Sequence, residues 1–128
     1  MKISASIYSD KENNILSTIR ALNDSHVDMI HVDCNDDLNV FTDILTIQKN
    51  SQIPIDLHII TENADRFYPT LAEFDIEYVT FQYEDLNDKH LKIPKEFTGQ
   101  LGLAITSNTP IDVFDQYANE FDFILFMA

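Results

Sequence analysis

Apolar runs alternate with helix-spaced apolar positions along the whole chain. Apolar runs with little polar interruption predict strands that are covered on both faces, as in parallel sheets. The predicted strands are residues 2–8, 28–34, 53–60, 77–84, 99–106 and 121–128. Apolar residues at helical spacing follow the first, second, third and fifth strands and predict helices at 9–24, 39–50, 63–74 and 109–121.

Polar residues mark where these helices are expected to start or bend. Ser9 and Glu12 have the spacing of a capping box. Asn63 and Thr109 are candidate N-caps, and Pro69 is expected to kink or shorten the third helix.

The regular alternation of strand and helix predicts parallel strands joined by right-handed crossovers. Residues 85–97 break the rhythm, because this polar segment contains Pro94 and has no helical period. Periodicity leaves two arrangements open, an open doubly wound sheet and part of a barrel. A chain of 128 residues suits a single domain spanning 1–128.

Charge and composition narrow the classes of partner. The formal net charge of −14 argues against nucleic acid and anionic membranes, which both attract basic proteins. A small phosphorylated ligand stays possible, because helix N-termini bind phosphate without basic side chains. Gly99 and Gly102 are the only glycines, so a glycine-rich phosphate loop is excluded.

Cysteine usage and hydropathy bear on the compartment. The single cysteine, Cys34, cannot form an internal disulfide, and we expect it to be a small core residue. The sequence shows no apolar run long enough to span a bilayer and no secretory leader, so a cytoplasmic location is expected.

Polar side chains recur at alternate positions inside the predicted strands. His31 and Asp33 lie two residues apart in the second strand, so they point to one face, and Asp56 and His58 do the same in the third. The same spacing gives the first and fourth strands a polar face: Ser4, Ser6, Tyr8, Thr80, Gln82 and Glu84. Buried polar groups cost free energy unless they are paired, so this face is the candidate site.

Two imidazoles and one carboxylate, from His31, His58 and Asp33, form a donor set that zinc accepts in catalytic sites. The alternative is that both histidines only form hydrogen bonds within the core. Spacing alone leaves both interpretations open. His26 and His90 lie in polar contexts that are typical of the surface.

Five segments resemble, in this order, successive segments of the ribulose-phosphate 3-epimerases: "KISASIYS", "IHVDCND", "IPIDLHIITENADRF", "LGLAITSNTP" and "FDFILFMA". The resemblance covers nearly the whole chain, with a gap at about residues 85–98. Its most specific part is the pair "HVD" and "DLH" on consecutive strands.

The resemblance implies a TIM barrel that uses a divalent metal to interconvert D-ribulose 5-phosphate and D-xylulose 5-phosphate. It places His31, Asp33 and His58 on three of the family's four metal ligands. Asp33 also falls on one of two acid/base aspartates, while Ser6 and Met127 fall on substrate-binding positions. We therefore expect a small sugar phosphate as substrate and zinc as the metal, with iron, manganese and cobalt as alternatives.

A complete TIM barrel has eight strands and usually at least about 200 residues. The fold class expected here is therefore α/β, an incomplete TIM-barrel-like repeat of about six parallel strands with helices outside. The last two strand–helix units are expected to be lacking. By the resemblance, those units carry the second catalytic aspartate and the phosphate loops.

Some positions on the substrate side differ from the family pattern: Asn35, Asp37, Ile60 and Gln82. Asp36 and Glu84 are candidates for a substitute second carboxylate, although a solvated surface role is the preferred interpretation of both.

Three functions are weighed. The first is a metal-dependent 3-epimerase, and the second is a catalytically impaired relative that binds metal or sugar phosphate or serves in assembly. The third is an open-sheet domain with an accidental likeness, which the order of the matched segments disfavours. Because unpaired strand edges associate, the apolar last strand predicts a homo-oligomer or a longer polypeptide.

Overall fold

The computed structural model describes residues 1–9, 14–117 and 120–127. Its strands form one parallel sheet that follows chain order, and the sheet curls into a half-barrel. The strands are β1 (Ser4–Ser6), β2 (Met29–Asn35), β3 (Ile55–Ile60), β4 (Tyr78–Gln82), β5 (Gln100–Thr106) and β6 (Phe123–Met127).

Helices fill most of the crossovers. The α-helices are α1 (Ile15–Asp24), α2 (Val40–Asn50) and α3 (Tyr68–Glu73). Short 3₁₀ helices cover Ala64–Phe67, Tyr83–Asp85 and Ile111–Tyr117. Within the described residues, no helix has the length and apolar character that crossing a membrane requires.

Strand order decides between the two arrangements that periodicity left open. Doubly wound sheets reverse their strand order at a switch point, whereas every strand here pairs with the next one along the chain. The prediction of an incomplete TIM-barrel-like α/β fold is therefore confirmed. One face of the sheet packs against the helices and forms the core, which includes Ile19, Ile30, Val32, Ile44, Ile47, Leu57, Ile59, Phe67, Leu71, Phe81 and Leu103.

Helix α1 begins later than the capping-box pattern predicts. Asn14 has an extended backbone, and its side chain accepts a hydrogen bond from the backbone N–H of Ser17 at 2.9 Å. Asn14 is therefore the N-cap, and the predicted start at Ser9 is wrong. Glu12 lies outside the described residues.

The expectations for Pro69 and Asn63 agree with the structure, whereas that for Thr109 does not. Pro69 lies in the first turn of α3, where its missing N–H costs nothing. The α-helix covers only Tyr68–Glu73 of the predicted 63–74, so the expected shortening is confirmed. Asn63 is an N-cap as predicted, and the helix that it caps is the 3₁₀ helix Ala64–Phe67, which leads into α3. The predicted helix after β5 is a 3₁₀ helix, and the hydroxyl of Thr109 binds Glu84 instead of capping it.

Register places the polar strand residues on the face opposite the helices. Ser6 is level with His31, and His31 with Asp56. Asp33 is level with His58. Since residues in register across parallel strands point to the same side, these side chains share the concave face of the sheet. Cys34 alternates to the other face and is fully buried in the core, as expected.

The described residues cover the outer face of β6 only in part. Ile124 and Phe126 are level with Leu103 and Ile105 of β5, which are fully buried. Ile124 and Phe126 are nevertheless 49% and 54% exposed. An apolar strip therefore remains open on the side that the helices cover elsewhere in the sheet.

Candidate functional site

The concave face brings His31, Asp33 and His58 together. One ligand atom from each residue lies within 4.8 Å of the others. His31 Nε2 is 2.8 Å from Asp33 Oδ1, and His58 Nδ1 is 3.4 Å from the same oxygen. Strand spacing produces this convergence, because Asp33 and His58 are level on adjacent strands and His31 lies two residues before Asp33.

The other nitrogen of each ring has its own partner. His31 Nδ1 lies 2.9 Å from Asp56 Oδ2, which also accepts a hydrogen bond from the hydroxyl of Ser4 at 2.9 Å. His58 Nε2 lies 2.8 Å from the side-chain oxygen of Gln82. Asp56 and Gln82 accept, so each ring donates an N–H on the side away from Asp33.

The donor set fits a cation. When both rings are neutral and donate to Asp56 and Gln82, the nitrogens that face Asp33 carry lone pairs. Two lone pairs and a carboxylate oxygen then converge, and a positive charge among them would satisfy all three. Divalent metals such as zinc take this set of ligands, and ligating histidines characteristically donate their second N–H to a neighbouring acceptor.

The acidic surroundings shift the pKa values of His31 and Asp56. The hydrogen bond with Asp56 raises the pKa of His31 above its ordinary value, against the opposing effect of burial, and Asp33 adds to the rise. Burial by itself would raise the pKa of Asp56, but hydrogen bonds from His31 and Ser4 outweigh it and lower that pKa. A metal would therefore compete with a proton at His31.

The three side chains of the cluster differ in their exposure to solvent. The side chain of His58 is 3% exposed and that of His31 is 21% exposed, whereas that of Asp33 is 44% exposed. Both contacts of Asp33 with the histidines use Oδ1. The carboxylate therefore closes one side of the cluster and opens toward solvent on the other.

The two predicted substrate residues lie on the same concave face. Ser6 is half-buried, and its hydroxyl oxygen accepts a hydrogen bond from the backbone N–H of Tyr8 at 3.3 Å. Met127 ends β6 level with Thr106, and it is 38% exposed. Ser6 adjoins His31 in register, while Met127 lies several strands away on the sheet.

The candidate substitute carboxylates are held by other partners. Asp36 pairs with Arg66 and accepts a hydrogen bond from the hydroxyl of Thr61 at 2.7 Å. Glu84 accepts hydrogen bonds from Gln82 and from the backbone N–H of Thr106. Both side chains are exposed, as the preferred surface interpretation expects, and these contacts also hold each carboxylate to neighbouring residues.

Sequence reasoning placed Asp56 and Gln82 on the polar face but assigned them no contact. Asp56 lies two residues from His58, and Gln82 lies two residues from Thr80, and this spacing indicated that they share the polar face. The contacts depend on strand register and rotamer, because Asp56 reaches across to His31 and Gln82 reaches across to His58. Neither quantity can be obtained from one strand alone.

Comparison with known proteins places the whole fold in one sequence family. The model of the "Ribulose-phosphate 3 epimerase family" matches residues 2–128. The chain is 27% identical to a ribulose-phosphate 3-epimerase of Buchnera aphidicola subsp. Baizongia pistaciae over 98% of its own length and 60% of that relative's. It is 31% identical to that of Buchnera aphidicola subsp. Schizaphis graminum, over 82% of the chain and 50% of the relative.

A more distant relative aligns with the entire chain. The ribulose-phosphate 3-epimerase of Bacillus subtilis is 23% identical over 100% of the chain and 63% of the relative. The chain thus spans less than two thirds of the length of these curated relatives.

Proposed function

The chain belongs to the ribulose-phosphate 3-epimerase family, and from this premise we propose that its concave face assists proton removal at C3 of a pentulose 5-phosphate. The relatives that carry this activity by name are longer than the chain. The proposal therefore concerns the chemistry that the described residues can perform.

The convergence of His31, Asp33 and His58 is the observation that carries the proposal. We propose that these three side chains hold a divalent metal, with zinc as the first expectation and iron, manganese and cobalt as alternatives. Such a metal, when bound, stabilises the negative charge that develops on the substrate oxygens as the C3 proton leaves. The substrate would be a small sugar phosphate.

Asp33 is the proposed acid/base residue. Its Oδ1 faces the two histidines, which leaves Oδ2 to take the proton from C3. The exposure of its side chain gives a substrate access to that oxygen. We assign Ser6 and Met127 to contacts with the sugar, since both lie on the concave face beside or across from this cluster.

Inversion at C3 needs a second acid that returns a proton to the opposite face of the substrate. The six described strands supply Asp33, whereas Asp36 and Glu84 are engaged with Arg66 and Gln82. This engagement favours a second candidate function, a catalytically impaired relative that binds metal or sugar phosphate. One carboxylate can still remove a proton and return it to the same face.

Incubation with D-ribulose 5-phosphate in D₂O separates these functions. We expect deuterium to appear at C3, because Asp33 would exchange the abstracted proton with solvent before returning it. Proton NMR measures this loss of the C3 hydrogen, and xylulose 5-phosphate formation measures inversion. Exchange with inversion supports the epimerase, and exchange without inversion supports a one-sided site. A C3 signal that decays no faster than in a protein-free sample would contradict both the acid/base role and the proposal.

The open apolar strip on β6 supports self-association. We propose that Ile124 and Phe126 are covered by a second copy or by further polypeptide, because exposed apolar patches and strand edges associate. Light scattering is expected to give a mass above that of the monomer. Phe126→Lys should lower that mass, whereas Gln52→Lys at an exposed polar position should not. A monodisperse monomer of the unaltered chain would overturn the expectation of a homo-oligomer.

A further inference from the structure

A line of hydrogen bonds connects His58, the most buried residue of the candidate metal site, to Gln82 and Glu84. His58 Nε2 lies 2.8 Å from Gln82 Oε1, and Gln82 Nε2 donates to Glu84 Oε1 at 2.6 Å. The second oxygen of Glu84 accepts from the backbone N–H of Thr106 at 3.0 Å and from the hydroxyl of Thr109. The line therefore starts at the loop that follows β5 and ends on His58.

The direction of every bond in this line follows from the carboxylate at its far end. Glu84 is ionised at neutral pH and can only accept, so the amide group that faces it must be the NH₂ of Gln82. The amide oxygen then faces His58 Nε2, which must carry the hydrogen. His58 Nδ1 is left with its lone pair, and this nitrogen is the one that faces Asp33.

Burial makes this choice costly to reverse. His58 and Gln82 are 3% and 5% exposed, so water has little access to replace a lost partner. The proposed tautomer leaves the Nδ1 lone pair 3.4 Å from Asp33 Oδ1, whereas the opposite tautomer would leave an unprotonated Nε2 only 2.8 Å from the amide oxygen, which is the closer contact of two acceptors. An unmade hydrogen bond of buried groups carries a full desolvation penalty.

We propose that Gln82 and Glu84 are positioning residues that hold His58 as its Nε2–H tautomer and thereby aim the Nδ1 lone pair at the space shared with His31 and Asp33. The consequence for metal affinity rests on the proposed function, whereas the tautomer itself does not. Glu84 acts through Gln82, which donates a hydrogen bond to it. Because Glu84 is held by the loop after β5 and fixes the orientation of the Gln82 amide, it determines which ring nitrogen of His58 is protonated.

The tautomer of His58 can be observed directly in the metal-free chain. Nitrogen-15 NMR at about pH 8.5, where ordinary imidazoles are neutral, distinguishes a protonated from an unprotonated ring nitrogen. We expect a protonated Nε2 and an unprotonated Nδ1 in the unaltered protein. Gln82→Leu should shift His58 toward a mixture of tautomers, because the acceptor at Nε2 is gone.

Metal affinity gives an independent measurement on the same variants. Titration with Co²⁺ alone is expected to show about 10–100-fold weaker binding in Gln82→Leu, the usual effect of removing a partner of a ligating histidine. Glu84→Gln, a change at an exposed side chain, should produce a smaller shift in the same direction, since a neutral amide no longer dictates the orientation of Gln82. It also serves if Gln82→Leu fails to fold.

Thr80→Val is the matched control. Thr80 is level with His58 on β4 and fully buried, and its hydroxyl has no partner among the described residues. Valine keeps the shape, so tautomer and Co²⁺ affinity should stay unchanged. A protonated Nδ1 in the unaltered protein overturns the inference, as does a tautomer that neither Gln82→Leu nor Glu84→Gln alters. The expected tautomer without Co²⁺ binding supports the inference while contradicting the proposed function.

Discussion

Replacement of Asp33 by asparagine is expected to lower the rate of C3 hydrogen exchange in D-ribulose 5-phosphate by about 10²–10⁴-fold, the usual contribution of a general base. Asparagine keeps the shape of the side chain and an oxygen that can face His31 and His58. It cannot take up a proton at neutral pH. The rate is measured by NMR from the loss of the C3 signal in D₂O.

Two measurements make this result specific. Bound metal is determined on the same sample, because Asp33 is also a proposed ligand, and a lower rate with retained metal identifies the proton-transfer role. Asp24→Asn, at the exposed C-terminal end of α1, has the same chemistry far from the cluster and should exchange at the unaltered rate. Exchange that Asp33→Asn leaves unchanged would remove Asp33 from the reaction.

Replacement of His58 by alanine is expected to weaken binding of a divalent metal by at least about 100-fold. Removing a partner of a ligating histidine costs about 10–100-fold, and loss of the histidine itself should cost at least as much. The two remaining side chains, His31 and Asp33, already contact each other directly. Elemental analysis of the purified chain and titration with Co²⁺ both report the loss.

Alanine at this buried position also leaves a cavity, so folding must be checked alongside metal content. Circular dichroism of His58→Ala should retain the signature of the parallel sheet and its helices. His26→Ala, at an exposed histidine, is the matched control and should bind metal as the unaltered chain does. Absence of bound metal from the unaltered chain, together with no Co²⁺ binding, would favour histidines that serve only as hydrogen-bonding core residues.

Metal binding should depend on pH for a reason visible in the cluster. The pKa of His31 is raised, so a proton occupies its ring at pH values where an isolated histidine has already lost one. This proton favours the folded, metal-free cluster at low pH and is displaced by a metal as pH rises. Asp33→Asn and His58→Ala are therefore best compared with the unaltered chain at one fixed pH.

The sequence alone predicted where the strands lie and which family the chain belongs to. Runs such as residues 53–60 and 99–106 coincide with β3 and β5 to within two residues. The polar face was also predictable, because side chains alternate along a strand and His31 must share a face with Asp33. The family that "HVD" and "DLH" indicated is confirmed by the family model, which matches residues 2–128.

Helix starts were less predictable, because several polar residues compete for each end. Ser9 and Asn14 both have N-cap chemistry, and the structure uses Asn14. Thr109 could cap the next helix, but a carboxylate from β4, Glu84, takes its hydroxyl instead. Such choices depend on groups that are distant in sequence, so no window of neighbouring residues contains them.

By itself, the sequence determined that six apolar segments become strands, that His31 shares a face of its strand with Asp33, and that His58 shares a face of its strand with Asp56, since strand periodicity is a property of the local backbone. Only the tertiary structure decided that Asp33 lies level with His58, that Asp56 reaches His31, and that Gln82 reaches His58. Register is set by how whole crossovers pack on the sheet. The hydrogen-bond partner of each ring nitrogen, and with it the direction of each lone pair, follows from that register.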